Sequence, residues 1–504
     1  MPLNQVVPAP VHLEPRDGAP FVMRDGVRLV TGADPEAVAV GILLAGRIGR
    51  VCGFPVALVE HDDGAPGAVE LRLVTDPADL VLPEGLDPEL MAQAYRIDAT
   101  AERLVLSALT GTGLHLATMT LQQLVRREGE THLVDPCLVL DHPRFAWRGL
   151  ALDVARHFFT VREVKSVLNV MAWYKLNVLH LHLTDDQGWR LDIASRPELT
   201  ARSGGTAVGG DRGGFYTAAD YAELLTYAAV RHIAIVPEID VPGHVNAALH
   251  ADGDLTPSGE AAPAYTGIDV GFSRLHVDLP GTEPFLRDVF GAVATMTPGR
   301  YVHLGGDEVL TMAPDEYAAL VRSAAGHVAA AGKGVIGWQE VARVLPPPDG
   351  GLEGLDVIVQ YWDEREGAAE VAAAVARGAR VLLSPASKIY LDMRYDADSP
   401  IGLEWAGHVE VRDAYEWEPL DVLPGVPADR VVGIEAGLWT ETVRTAEDLF
   451  WLLLPRLVAV AEVAWSAQQR RDWDGFARRL AGQPRLWAEA GLRWYRSPQV
   501  PWTD

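Results

Sequence analysis

The sequence predicts an α/β fold: a (β/α)8 TIM barrel preceded by a small α+β domain. Three observations predict it. From Arg148 onward eight short apolar runs alternate with helical stretches over ~350 residues, the arithmetic of a (β/α)8 barrel. Polar residues gather at the C-terminal end of nearly every run, where barrels build their sites. The first ~135 residues follow a different rhythm, so the 504 residues divide into an accessory unit at 1–138 and a barrel at 139–504.

Taken in order, the N-terminal unit offers strands at Val69–Thr75 and Tyr95–Asp98, where apolar and polar residues alternate. Helices are expected at 34–50, where Asp34-Pro35-Glu36 opens an apolar periodicity, and at 111–125. Val134-Asp135-Pro136 and Asp141-His142-Pro143 mark the junction. The barrel strands are expected at Gly149–Val154, Val178–Leu183, Ile233–Pro237, Tyr301–Gly306, Gly334–Trp338, Val357–Trp362, Val381–Pro385 and Val431–Trp439. Amphipathic helices follow at Val161–Trp173, Asp220–Val230, Pro314–Ala331 and Ala368–Arg377. The Pro/Gly stretches at 346–351 and 204–214 read as barrel loops. An open doubly wound sheet is the runner-up.

Composition bounds the function. Hydrophobic content of 48% with 22% charged residues is globular. Forty-three Lys+Arg against 69 Asp+Glu give a formal net charge of −26, which argues against a nucleic-acid partner. Cys52 and Cys137 are the two cysteines, too few for a disulfide framework or a Cys-based zinc cluster. The start MPLNQVVPAP has neither a basic nor an apolar signal region, which fits a cytoplasmic protein or a processed secreted one. No apolar run approaches membrane-spanning length, so no membrane partner is expected. Oligomeric state is unread. Fourteen Trp exceed ordinary usage and point either to core or to sugar-stacking surfaces.

The strand ends carry the chemistry. In order they offer Asp153 and Arg156-His157; His180, His182, Asp185-Asp186-Gln187 and Trp189; Glu238, Asp240 and His244; His303 and Asp307-Glu308; Trp338 and Glu340; Gln360 and Trp362; Tyr390 and Asp392; Glu435, Trp439 and Glu441. Carboxylates, Trp and one Arg at a single barrel mouth are the make-up of a sugar site: Trp faces stack on a pyranose, and the charged groups bind its hydroxyls. Trp338, Trp362 and Trp439, each ending its own strand, strengthen that reading. His180 and His182 raise a zinc site, but strands five to eight offer no His in register, so a packed or hydrogen-bonded pair is preferred and no metal or other cofactor is expected. Gly209–Gly214 lacks the Lys-Ser/Thr of a phosphate loop.

Gly305-Gly306-Asp307-Glu308 is the sharpest local signal. Two small residues would admit a ligand close to the backbone. Adjacent carboxylates are poorly placed to straddle a glycosidic bond, as a pair of catalytic acids must. They suit a division of labour, one protonating the leaving oxygen and the other holding a substrate group. Two helix-capping acids after a glycine turn are the plainer alternative.

His303-x-Gly-Gly-Asp307-Glu308, together with His180-x-His-x-x-Asp185-Asp-Gln-Gly-Trp189, Glu238-Ile-Asp-x-Pro-Gly-His244 and Leu438-Trp-Thr-Glu441, resembles the β-N-acetylhexosaminidases of glycoside hydrolase family 20, nearest to the actinobacterial enzymes. The resemblance runs from about Asp141 to Trp502, and more loosely through the N-terminal unit. It implies substrate-assisted catalysis, in which the 2-acetamido oxygen attacks C1 and an oxazolinium forms. It implies Glu308 as general acid and then base, and Asp307 as the group that orients the acetamido N–H. Tyr390 would donate to the acetamido oxygen. Trp338, Trp362 and Trp439 would box the acetamido methyl, and Arg156, Asp392 and Glu441 would bind hydroxyls of the terminal sugar. Asp185 and His244 would form a relay behind Glu308, and Trp405 would line the leaving-group side. The implied partners are β-linked N-acetylhexosamine oligosaccharides, chitooligosaccharides by default. A metal-dependent barrel amidohydrolase, a catalytically silent sugar-binding protein and a family 18 chitinase are the rivals. The last would need an Asp-x-x-Asp-x-Asp-x-Glu pattern at strand four, and none occurs.

Overall fold

A computed structural model describes residues 5–347, 352 and 354–502. The loop expected at 346–351 and the opening residues 1–10 lie partly outside that range.

The N-terminal unit is a seven-stranded mixed sheet. Its strands are β1 (His12–Pro15), β3 (Arg28–Val30), β4 (Ala57–Val59), β5 (Ala68–Leu73), β6 (Tyr95–Ala99), β7 (Arg103–Ala108) and β10 (Cys137–Asp141), in the order β1-β10-β6-β7-β5-β3-β4. A separate three-stranded ribbon joins β2 (Phe21–Met23), β9 (Thr131–Val134) and β8 (Arg126–Glu128). The two expected helices form at Pro35–Cys52 and Gly111–Leu124. The first is capped at both ends. The Asp34 carboxylate accepts from the N–H groups of Glu36 and Ala37, Pro35 fills the first turn, and Gly53 closes it in the left-handed conformation. Val40, Leu44 and Ile48 from this helix, and Leu114 and Leu121 from the second, pack with Val69, Leu71, Ile97 and Leu106 of the sheet. Cys52 and Cys137 are free thiols.

The second unit is a closed parallel barrel, as the eight runs predict. Its strands are β11 (Trp147–Asp153), β12 (Val178–His182), β13 (Ala234–Glu238), β14 (Tyr301–His303), β15 (Gly334–Trp338), β16 (Val357–Tyr361), β17 (Arg380–Leu383) and β18 (Val431–Leu438). Trp147–Leu152 of β11 pair with Gly433–Leu438 of β18, and this closure excludes the open doubly wound sheet. Helices form at Val161–Trp173, Ala218–Ala229, Pro314–Ala330 and Ala368–Ala376. Thr160 with Glu163, and Thr217 with Asp220, make capping boxes that start the first two. No helix of the described chain is long and apolar enough to cross a membrane.

Side chains of a strand alternate between the two faces, so the barrel interior fills in layers. Val178, Val236, Tyr301, Ile336, Ile358 and Leu382 make an apolar layer at the N-terminal end. Two residues further along, His180, Glu238, His303 and Gln360 form an ionic layer with Glu435 of β18, every member buried. The catalytic-type residues lie above it, at the C-terminal rim.

The two units meet over a buried charge. Lys175 Nζ lies 3.0 Å from Asp141 Oδ2 and donates to the Tyr95 hydroxyl at 2.7 Å. Trp465 Nε1 donates to the other Asp141 oxygen at 2.9 Å. Lys175 and Trp465 belong to the barrel unit, Tyr95 and Asp141 to the sheet.

Candidate active site

At the C-terminal rim a cavity of about 240 Å3 opens, lined in part by Arg156, Asp185, His244, Asp307, Glu308, Trp362, Tyr390, Trp405, Trp439 and Glu441. Ten of the twelve residues singled out from the sequence therefore converge on one chamber. The other two stand behind it. Trp338 is 1% exposed and lies under Trp439, their ring centroids 5.7 Å apart. Asp392 is likewise 1% exposed and faces the charge of Glu441.

The two acids sit on an irregular turn after β14, which ends at His303. Glu308 has φ of 50°, and His244 opposite has φ of 53°, left-handed values that cost a non-glycine residue about 1–3 kcal/mol each. Gly305 shapes this turn, with a structural reason that differs from the expectation. Its φ is 70°, and a Cβ there would lie 1.8 Å from Asp240 Oδ1. Asp240 also accepts from the Gly306 N–H at 3.1 Å. The space beside Gly305 is thus taken by a buried carboxylate rather than by a ligand.

A line of alternating charges runs inward from Glu308. Its Oε2 is 3.4 Å from His244 Nε2, and Asp307 Oδ2 is 3.7 Å from the same nitrogen. His244 Nδ1 lies 3.2 Å from Asp185 Oδ1. Asp185 Oδ2 meets His182 Nε2 and Arg156 Nη2, both at 2.8 Å. His182 Nδ1 meets Glu238 Oε2 at 2.5 Å, and Trp338 Nε1 donates to Glu238 Oε1 at 2.8 Å. His180 Nδ1 reaches Glu435 Oε1 at 2.9 Å. His180 and His182 are therefore engaged by carboxylates, as a hydrogen-bonded strand pair.

Burial alone would raise the Asp185 pKa, but Arg156, His244 and His182 outweigh it and hold the group well below the usual carboxylate range. Burial likewise pulls His244 down, and Asp185 with Asp307 more than reverses that, so its proton affinity lies well above the ordinary imidazole range. Asp307 moves the other way. Burial, then Asp240 and Glu308, push it well above its ordinary value, with His244 opposing. Asp240 is raised to about 7, burial first. Glu340 is raised to about 8 by burial and Asp307, while accepting from Trp362 Nε1 at 3.3 Å. Burial, with Asp392 and Asp307, raises Tyr390 well above a normal phenol, so its hydroxyl keeps a proton to donate.

The aromatic wall is continuous. Trp362 stacks on Tyr390 at 6.3 Å with the planes 10° apart. Tyr390 leads to Trp439 at 6.1 Å, and Trp405 meets both Trp362 and Tyr390 edge-on at 5.9 and 5.8 Å. Arg156 lies over Trp439, 5.2 Å from the ring centroid.

Buried polar groups normally find partners, and here several have none. Both oxygens of Asp392, Glu441 Oε2, Asp307 Oδ1 and the Nε and Nη1 atoms of Arg156 are buried without a hydrogen bond. An array of unmatched donors and acceptors beside aromatic rings is complementary to a polyhydroxylated ligand. Among the described residues, four overlapping His/carboxylate groups come close enough to hold a cation, such as His182, Glu238 and Asp240, or Asp240, His244 and Asp307. Their donors are already matched in part by one another, and the Arg156 guanidinium lies 2.8 Å from Asp185 of one of them.

Glu238, Asp240 and Glu435 were not given roles from the sequence. The available signal was the recurrence of carboxylates at strand positions in register with His180 and His182, which only a closed barrel makes neighbours. Asp153, at the first strand end, is a turn former: it accepts from the N–H groups of Ala155, Arg156 and Thr440 and thereby fixes Arg156.

Comparison with known proteins follows the same lines. The description "Glycosyl hydrolase family 20, catalytic domain" matches residues 145–316 and 314–468, and "Glycosyl hydrolase family 20, domain 2" matches residues 4–142. A β-N-acetylhexosaminidase of Cellulomonas fimi is 54% identical over 503 residues, spanning 100% of this chain and 98% of its own. The GH20 β-N-acetylhexosaminidase structure from Streptomyces coelicolor A3(2) superposes with a TM-score of 0.91 at 43% identity, covering 100% of this chain and 99% of that one. A Streptomyces plicatus N-acetyl-β-hexosaminidase, solved in complex with Thio-NAglucal, gives 0.91 at 42% identity over 100% and 98% of the two chains.

Proposed function

Because the chain belongs to glycosyl hydrolase family 20 and is a β-N-acetylhexosaminidase, we propose that it removes terminal non-reducing β-GlcNAc or β-GalNAc with retention, the substrate's own 2-acetamido group acting as nucleophile, and that chitooligosaccharides are among its substrates. The catalytic work is assigned to the barrel, and the sheet unit, which runs through Asp141 at the end of β10 rather than stopping at 138, is the accessory domain. The observation that carries the reading is the set of unmatched buried groups on Arg156, Asp307, Asp392 and Glu441 around an aromatic wall.

In this reading Arg156, Asp392 and Glu441 hold the hydroxyls of the terminal sugar, and Trp362, Trp439 and the underlying Trp338 enclose the acetamido methyl. Tyr390 donates to the acetamido oxygen and aims it at C1. As that oxygen attacks, Glu308 gives its proton to the leaving oxygen and the C1–O bond breaks. The oxazolinium so formed carries positive charge. Asp307 accepts from the acetamido N–H and faces that charge. A carboxylate there interacts more strongly with the developing cation than with the neutral ground state, which is the condition for accelerating the chemical step. His244, held by Asp185 and with its proton affinity raised, lies 3.4 Å from the Glu308 carboxylate left behind and stabilises it. Glu308 then takes a proton from water as the water oxygen adds to C1, and the sugar leaves with its original β-configuration. A mutant of the Streptomyces plicatus β-hexosaminidase has been solved in complex with the product GlcNAc, which supports a single-sugar subsite here.

A turnover panel tests the proposal. 4-Nitrophenyl β-GlcNAc is expected to be cleaved at least a hundredfold faster than the β-glucoside, which lacks the nucleophile, and a thiazoline mimic of the oxazolinium should inhibit. Glu308→Gln is expected to lower kcat by ~10²–10⁴ on substrates with poor leaving groups. Equal turnover of glucoside and N-acetylglucosaminide would refute the mechanism.

A further inference from the structure

Five of the fourteen large apolar side chains exposed among the described residues crowd one place, the outer edge of the cavity. Trp405 (43% exposed), Ile268 (48%) and Val270 (37%) line the cavity itself. Phe272 and Leu310 (76%) flank the latter two. Leu310 lies over Gly271, where a Cβ would meet its Cδ1 at 2.7 Å, and Phe272 packs on Tyr265 at 4.5 Å. Clustered exposed apolar surface of this kind marks a binding site more often than chance.

The loop that presents these residues is pinned from below by the catalytic layer. Gln187 Nε2 donates to the Gly267 carbonyl at 2.9 Å. The Ser273 hydroxyl donates to Asp186 Oδ1 at 2.5 Å and accepts from the Val245 N–H at 2.9 Å. The Gly209 N–H donates to the Thr266 carbonyl at 2.8 Å. Its anchors are thus the neighbours of Asp185 and His244. On the opposite side, Arg365 sits 5.7 Å from the Trp405 ring, but its fork is taken up by Asp363 at 2.8 and 2.7 Å. The outer cavity wall therefore has apolar surface from Ile268, Val270, Leu403 and Trp405 and a charge already neutralised. Among the described residues lining this side of the cavity, apolar side chains prevail and Arg365 is already paired with Asp363.

We propose that this outer part of the cavity is a binding site for an apolar leaving group, so that the enzyme takes alkyl or aryl β-N-acetylhexosaminides in preference to purely sugar-linked ones. The inference rests on the reading of Glu308 as the acid that protonates the leaving oxygen, because that reading places the leaving group on this side. The reaction is unchanged: the C1–O bond breaks, water supplies the new C1 oxygen, and the departing alkoxide takes its proton from Glu308.

The test is kcat/KM for the methyl, butyl, hexyl and octyl β-N-acetylglucosaminides below their micelle concentrations, with the benzyl glycoside as aromatic arm and chitobiose as sugar arm. The alkanols differ little as leaving groups, so the series reads contact rather than chemistry. Full burial of one methylene is worth about fourfold. Partial contact should therefore raise kcat/KM at least tenfold from methyl to octyl, the gain residing in KM. The octyl-to-methyl ratio should collapse towards one in Ile268→Ser/Val270→Ser and fall in Leu310→Ser, whose exposed position leaves folding intact. Ile268→Leu should keep the ratio. A benzyl advantage without an octyl one identifies an aryl rather than an alkyl site. A flat series with a flat benzyl arm, a ratio untouched by both serine variants, or chitobiose outrunning the octyl glycoside tenfold would each overturn the proposal. If neither methyl glycoside nor chitobiose were cleaved, the fault would lie in the underlying reading of the site instead.

Discussion

At the scale of single residues, the site is a set of opposed proton affinities built from the same side-chain types. Asp185 and Asp307 are both buried aspartates. One is held low by Arg156, His244 and His182, the other is pushed high by burial, Asp240 and Glu308. Asp240, itself raised to about 7, is the first charged neighbour that pushes Asp307 up. The proposed mechanism needs the charge on Asp307. Asp240→Asn leaves that charge to Asp307 alone and removes the neighbour that raises it. The sign follows: Asp307 ionises at lower pH, so the acid limb of kcat/KM should move to lower pH, by about one unit if the interaction is worth about 1.4 kcal/mol. An acid limb that stays in place in Asp240→Asn would mean the two carboxylates are not coupled. The sequence supplied Asp307 as a candidate from its motif. Asp240 lies in another motif and says nothing of its neighbour until β13 and β14 are adjacent.

At the scale of elements, strand ends and the turns after them do the positioning. β14 has only three residues, and Glu238 to His303 is its one register partner with β13. The chain then leaves extended geometry through Gly305 and Gly306 and delivers Asp307 and Glu308 from a turn. Alanine at Gly305 would bring a Cβ against Asp240 and enforce a left-handed φ of 70°. Gly305→Ala should cost ~1–3 kcal/mol of stability, visible as a lowered denaturation midpoint. It should also cost about a hundredfold in kcat/KM, since displacing a catalytic group by about 1 Å has that effect. Retained activity would mean the turn yields without moving the acids. The expected element boundaries agreed within a few residues wherever caps or strong periodicity were present, as at Val161–Trp173. The three-residue strands β2, β3, β4 and β8 are too short to carry a period and were not expected.

At the scale of the whole molecule, the sheet unit and the barrel share a buried lock. Lys175, Asp141, Tyr95 and Trp465 are all buried, and Gln93 of the sheet unit accepts from Arg148 of the barrel at 2.8 Å. Removing one partner of a buried pair strands the other's charge, at about 3–5 kcal/mol. Lys175→Met should lose that much stability in denaturant unfolding, and adding Asp141→Asn should restore part of it. A neutral single variant would show that the pair is not coupled to folding. The barrel mouth lies at the strand ends, away from this lock, so Lys175→Met should leave the KM of the folded enzyme unchanged.

The sequence by itself determined the eight barrel strands and four of the helices between them, because burial imposes periods of 2 and 3.6 that persist whatever the partner; helices such as Thr282–Met296 and Arg456–Trp465 were not expected. It also determined most of the candidate site, because the chemistry concentrates in short motifs at strand ends. Only the tertiary structure decided which motifs face one another. Closure of β18 on β11 sets Glu435 beside His180, β13 beside β14 sets Asp240 against Gly305, and the loop over Asp186 sets Ile268 and Val270 opposite Trp405. These are contacts between residues far apart in the chain, and no local pattern encodes them. They fix proton affinities and the character of the leaving-group side, which depend on distance and on exclusion of water.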